Sequence, residues 1–93
     1  MLALIHHLAI SSAVPYQKIA EMAAMLTKRY LIVELLDSTD SLVLMLSQQR
    51  DRQPAEFAIN LQREAFGEHF VIKEEVVLSD SGRYLVLMEK IVR

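Results

Sequence analysis

Met1-Leu2-Ala3-Leu4-Ile5-His6-His7-Leu8 is the stretch that decides the fold. Nothing polar alternates with its aliphatic residues before the two histidines. Short apolar runs of this kind are typical of parallel strands covered on both faces. The stretch is therefore read as a strand over Leu2 to His7. Such a strand belongs in the middle of a sheet, with a neighbour on each side. The residues that follow supply candidates for one side only, so the expectation is the back half of something larger.

Outward from this stretch, Ser11-Ser12-Ala13-Val14-Pro15 opens a helix, with Pro15 in the first turn where a missing N–H costs nothing. Ile19, Met22, Ala23 and Leu26 fall at i, i+3, i+4 and i+7 and form one apolar stripe. Lys28 and Arg29 close the helix, favourably placed against its dipole. Tyr30 to Leu36 is the second strand. Strand, helix and strand with short connections make a βαβ unit, whose two strands are parallel.

Asp37-Ser38-Thr39-Asp40 reads as a turn and N-cap for a short helix carrying Leu42, Val43 and Leu46. Pro54 reopens helical pattern, with Phe57, Leu61 and Ala65 on one face and an end at Gly67. Phe70 to Leu78 is a third strand, interrupted by Lys73-Glu74-Glu75. Ser79-Asp80-Ser81-Gly82 is a turn, and Arg83 to Val92 a fourth strand. Two strands joined by so short a turn are antiparallel. The fold class is α/β: a βαβ unit, further helices, then a C-terminal antiparallel β-hairpin.

Composition bounds the rest. A chain of 93 residues suits one domain, spanning 1–93, and its 53% hydrophobic share is what strands covered by helices require. A net charge of −2 argues against nucleic acid as a partner, since that would need clustered Lys and Arg. Zero cysteines exclude disulfides and thiolate metal sites. No apolar stretch approaches the roughly 18–20 residues that span a bilayer. The first residues lack the basic segment of a signal peptide. The chain is read as soluble and cytoplasmic, with no membrane partner.

In this order of elements the chain resembles the C-terminal half of a class I S-adenosylmethionine-dependent methyltransferase. Leu2-Ala3-Leu4-Ile5-His6-His7-Leu8 is similar to the fourth strand of one branch of that family, where Leu-Ala-Leu-x-x-His-His-Leu recurs, although here a single residue separates Leu4 from the histidines. Val14-Pro15 and the Ile19/Met22/Ala23 helix resemble the helix after it, and Leu31-Ile32-Val33-Glu34 the fifth strand. Phe66-Gly67-Glu68-His69-Phe70 resembles the entry into the sixth strand. Arg83-Tyr84-Leu85-Val86-Leu87 resembles the seventh, which the family inserts between strands five and six.

The resemblance covers essentially the whole chain and implies half of a Rossmann-like methyltransferase sheet. It also implies a gap. The family holds its methyl donor with a glycine-rich loop after the first strand, where backbone must approach the ligand closely. The two glycines here, Gly67 and Gly82, sit at a helix end and a hairpin turn. S-adenosylmethionine is thus expected as cofactor of the parent enzyme and not of the 93-residue chain alone.

Candidate site residues follow from the rule that ligands gather outside the carboxyl ends of strands in open α/β sheets. His6 and His7 end the first strand, and either is a candidate for lining an acceptor pocket or taking a proton. Both can equally just cap the strand with hydrogen bonds. A His-His metal site is disfavoured, because adjacent strand residues diverge and no third ligand has suitable spacing. Glu34 interrupts a buried strand, where a lone carboxylate is costly unless paired. Asp37 follows it and is also explained as a turn residue. Lys73-Glu74-Glu75 reads as a solvated edge, Met22, Met25, Met45 and Met88 as core filler, and Phe66 and Phe70 as packing anchors.

Two functions are expected to compete. One is methyl transfer to an O, N or C nucleophile by a parent enzyme of which this is the acceptor-side fragment, inactive alone. The other is a non-enzymatic association module. Its exposed first strand would pair with a second copy or with a complementing chain.

Overall fold

The computed structural model describes residues 4–79 and 82–92, without the side chains of Leu4, His7 and Ser79. It is a small α/β fold in which helices cover one face of a three-stranded antiparallel sheet. A short α-helix α1 (Leu4–His6) runs into a π-helical turn (His7–Ser11). Helix α2 (Tyr16–Leu26), strand β1 (Tyr30–Leu36) and helix α3 (Ser41–Gln49) follow. A 3-10 turn (Pro54–Phe57), helix α4 (Ile59–Gly67) and strands β2 (Phe70–Ser79) and β3 (Arg83–Lys90) complete the chain.

The strand order is β1-β3-β2. The last strand lies between the other two, with Val33 opposite Val86 on one side and Val76 opposite Leu85 on the other. Because β1 and β2 each run antiparallel to β3, they are parallel to one another, and their carboxyl ends lie at the same edge of the molecule. Val33, Leu35, Val86 and Met88 point into the core. Helix α4 lies on the sheet, contributing Ala65 and Phe66, and α2 packs against α4 with Ile19, Ala20 and Ala23. Phe66 and Phe70 do anchor helix to sheet, their ring centroids 6.1 Å apart.

The second, third and fourth expected strands are present, but the first is not. Residues 4–11 are helical; Leu2 and Ala3 lie outside the described residues, as do Asp80 and Ser81 of the expected hairpin turn. The βαβ unit with its parallel hydrogen-bonded pair is therefore not formed. Nor is the strand edge through which a second copy or complementing chain was expected to bind. The physical reason is that a strand satisfies its backbone only through neighbours, whereas a helix satisfies it internally. With a neighbour available on one side only, the helical solution wins. It still buries Ile5, Ala9 and Ile10. Ala13 then turns the chain into α2 with φ +55°, an unusual conformation for a residue bearing a Cβ.

Two helix faces also differ from the expected stripes. On α2 the buried residues are Tyr16, Ile19, Ala20, Ala23 and Ala24, while Leu26 is 80% exposed. Three alanines let this helix approach its neighbours closely, which rotates Met22 and Leu26 outward. Of the methionines read as core filler, Met88 is buried and Met22, Met25 and Met45 are exposed. On α4 the buried face is Ile59, Gln62, Ala65 and Phe66, with Leu61 exposed. Among the described residues no helix is long and apolar enough to cross a membrane.

Candidate functional site

The carboxyl end of β1 is tied by hydrogen bonds to the β2–β3 turn and to the start of α4. Asp37, the first residue past the strand, donates its N–H to Gly82 O at 2.8 Å, joining this loop to the β2–β3 turn. Its Oδ1 accepts the N–H of Ser38 at 2.9 Å and of Ile59 at 3.0 Å, closing its own turn and holding the start of α4. Gly82 has φ +94°, and a Cβ there would fall 2.9 Å from both Asp37 Cβ and Thr39 Oγ1. The close approach of the two loops thus needs glycine for both space and conformation.

Asp40 is 1% exposed. Its Oδ1 caps α3 by accepting the N–H of Leu42 at 2.9 Å. The same carboxylate is gripped by Arg83, with Nε donating to Oδ2 at 2.8 Å and a second nitrogen to Oδ1 at 3.3 Å. Burial pushes the Asp40 carboxyl up, but the Arg83 and backbone N–H bonds outweigh it and hold the group below the usual carboxylate range. Arg83 also feels the charge of Glu34. Gln62 completes the junction, its amide donating to Leu36 O at 2.7 Å and Phe57 O at 2.9 Å.

The four sequence candidates meet different fates here. His6 is fully buried, and its Nε2–H donates to the backbone carbonyl of Glu34 at 2.9 Å. Because a carbonyl only accepts, the proton must sit on Nε2. The imidazole thus covers backbone of β1 and does not stand at an open rim. The side chain of His7 lies outside the described residues. The Glu34 carboxylate projects from the sheet face opposite Val33 and Leu35, half-buried, so His6 reaches its backbone and not its acid. Asp37 is a backbone staple. Glu34 and Asp37 are brought to one strand end, together with Asp40 and Arg83, which sequence reasoning did not pair. Among the described residues no group of three or more His, Asp or Glu side chains could hold a metal ion.

A cleft of about 270 Å³ opens nearby, between segments that no motif had singled out. Ala9, Val14 and Tyr16 form one wall; Arg52, Glu56 and Phe57 form the other. Tyr16 meets Phe57 edge to face, with centroids 6.5 Å apart and ring planes at 82°. The Arg52 guanidinium stacks 5.0 Å from the Phe57 centroid while pairing with Glu56 at 3.1 Å. The Tyr16 hydroxyl is buried and makes no hydrogen bond among the described residues. Burial raises its pKa well above the ordinary phenol value, despite the opposing charge of Arg52. The lining is mixed, with Val14, Tyr16 and Phe57 beside Gln17 and the Arg52–Glu56 ion pair. No protein-family model, curated protein or solved structure matches this chain.

Proposed function

We propose that this chain is the acceptor-side half of a class I S-adenosylmethionine-dependent methyltransferase, acting in methyl transfer to an O, N or C nucleophile. The observation that carries this reading is the strand order. In that family the last strand inserts between the fifth and sixth, antiparallel to both. Here β3, last in sequence, lies antiparallel between β1 and β2.

The residues present do not fit the methyl donor. Gly82 closes a hairpin turn against Asp37, and Gly67 ends α4 with open space around it. Neither belongs to a loop that could cradle a ligand, so no donor contact is assigned to this chain. Its contribution is the acceptor side. The cleft is lined by residues 9–17, leading into α2, and by residues 52–61, from the end of α3 into the first turn of α4. Catalysis in this family rests largely on holding donor and acceptor in line, and Tyr16, Arg52 and Phe57 would orient the acceptor.

The test is calorimetry with S-adenosylmethionine on the chain and on a chimera placing residues 1–93 behind the glycine-rich half of a class I methyltransferase. The chain alone should show no saturable binding at micromolar concentration. The chimera should bind one to one. One-to-one binding by the chain alone would overturn the reading. So would a folded chimera that does not bind the donor.

A further inference from the structure

Strand β2 is an outer strand bonded along one side to β3. All of its side chains from Val71 to Leu78 are exposed, including Val71 at 51%, Val76 at 50% and Val77 at 61%. The other outer strand is different. β1 buries Val33, Leu35 and Leu36, and His6 bonds to its Glu34 carbonyl. A long apolar strand with an open edge is a template for another strand. The charges in its middle indicate which one.

Ile72 lies opposite Met88 and Glu74 opposite Leu87, so Lys73 is an extra residue in a bulge. The bulge places Lys73 and Glu74 on the same sheet face. Lys73 Nζ is 3.6 Å from Glu89, and Glu74 lies beside Ile32, Val76, Leu85 and Leu87 on the open face. Ile72 and Glu75 take the opposite face, where Arg63 neutralises Glu75 through two contacts of 2.9 Å.

We propose that β2 pairs antiparallel with β2 of a second copy about a two-fold axis, Lys73 of each copy facing Glu74 of the other. In antiparallel pairing, directly opposed residues share a face. This register satisfies that rule throughout: Val71 faces Val76, Lys73 faces Glu74, and Ile72 faces the Arg63-neutralised Glu75. A slip of one residue sets Glu74 against Glu74 and puts Ile72 and Val76 on mismatched faces. A slip of two opposes Glu74 and Glu75 twice. The acidic and basic residues that discourage indiscriminate pairing are self-complementary in one register, which identifies the occupant as another copy of this chain. The two open faces, with Ile32, Val76, Leu85 and Leu87, then join into one apolar surface. This inference stands on the sheet alone and does not rest on the methyltransferase reading.

Sedimentation equilibrium and a disulfide trap test it. The wild-type chain should sediment at twice its monomer mass of 10.6 kDa. Lys73→Glu and Glu74→Lys should each weaken the dimer about tenfold or more, since each turns two symmetry-related attractions into repulsions. The double variant Lys73→Glu/Glu74→Lys should restore it. The natural chain has no cysteine, so Val71→Cys and Val76→Cys proteins, mixed and oxidised, should cross-link to each other. Each alone should not, because like positions lie five residues apart along the paired strands, about 17 Å. Circular dichroism separates loss of pairing from loss of fold. A wild-type monomer at all concentrations, a dimer indifferent to the single charge reversals, or a double variant that folds but stays monomeric would overturn the proposal.

Discussion

Replacing Asp40 by alanine should be among the most damaging single polar substitutions, because one carboxylate does two jobs. It caps α3 through the Leu42 N–H and pairs with Arg83. Loss of an N-cap costs about 1 kcal/mol. Hydrogen bonds to a charged partner contribute roughly 1.5–3 kcal/mol when buried. The Arg83 side chain is 37% exposed and regains water once released, which reduces that contribution to about 1–2 kcal/mol. The expected loss is therefore about 2–3 kcal/mol.

With a urea m-value of about 2 kcal/mol/M, that lowers the unfolding midpoint by about 1–1.5 M. Asp40→Asn keeps an acceptor for the cap and loses the ion pair, so it should show about half the effect. A double-mutant cycle with Arg83→Met should return a coupling of about 1–2 kcal/mol. An Asp40→Ala midpoint within error of wild type, or a coupling near zero, would refute the reasoning.

Other outcomes follow from the same structure. The folded-state pKa of Asp40 lies below its ordinary value, so its stabilisation is complete above about pH 4 and fades as pH falls through the folded value. Urea midpoints of wild type should then drop more steeply as pH falls below about 4 than those of Asp40→Asn; parallel curves would contradict this. Tyr16→Phe removes a buried hydroxyl that makes no hydrogen bond among the described residues. It should leave stability unchanged or raise it by about 1 kcal/mol, and a loss above that in thermal unfolding would reveal a partner. Gly82→Ala imposes a Cβ at φ +94° against Asp37 and Thr39. A destabilisation of about 1–3 kcal/mol is expected, and a neutral result in urea would contradict the close loop contact.

What was legible in the sequence was local. The strand over 30–36 announced itself by an unbroken apolar run ended by Asp37 to Asp40, and the hairpin by Gly82 between two β-rich segments. Asp40 was readable as a cap because it immediately precedes an apolar periodic stretch. The conformation of residues 4–11 was not readable, since a short apolar run such as the one ending at Ile5 suits a buried strand or a helix. Which one forms depends on whether a strand is available alongside. The buried face of α4 was misassigned because Gln62 is polar, yet its amide is fully spent on two carbonyls beneath the helix. The Asp40–Arg83 pair spans 43 positions and exists only once β3 has inserted beside β1. Tyr16 gave no signal, being a single aromatic residue next to Pro15.

The proposed function rests on that insertion, so the strand order is the quantity to measure. In the nuclear Overhauser spectrum of the isotope-labelled chain, backbone contacts should connect β1 with β3, as at Val33 and Val86, and β3 with β2, as at Val76 and Leu85. No backbone contacts should connect β1 with β2 directly. Direct β1–β2 contacts, with β3 at the edge of the sheet, would contradict the fold and remove the support for a methyltransferase half.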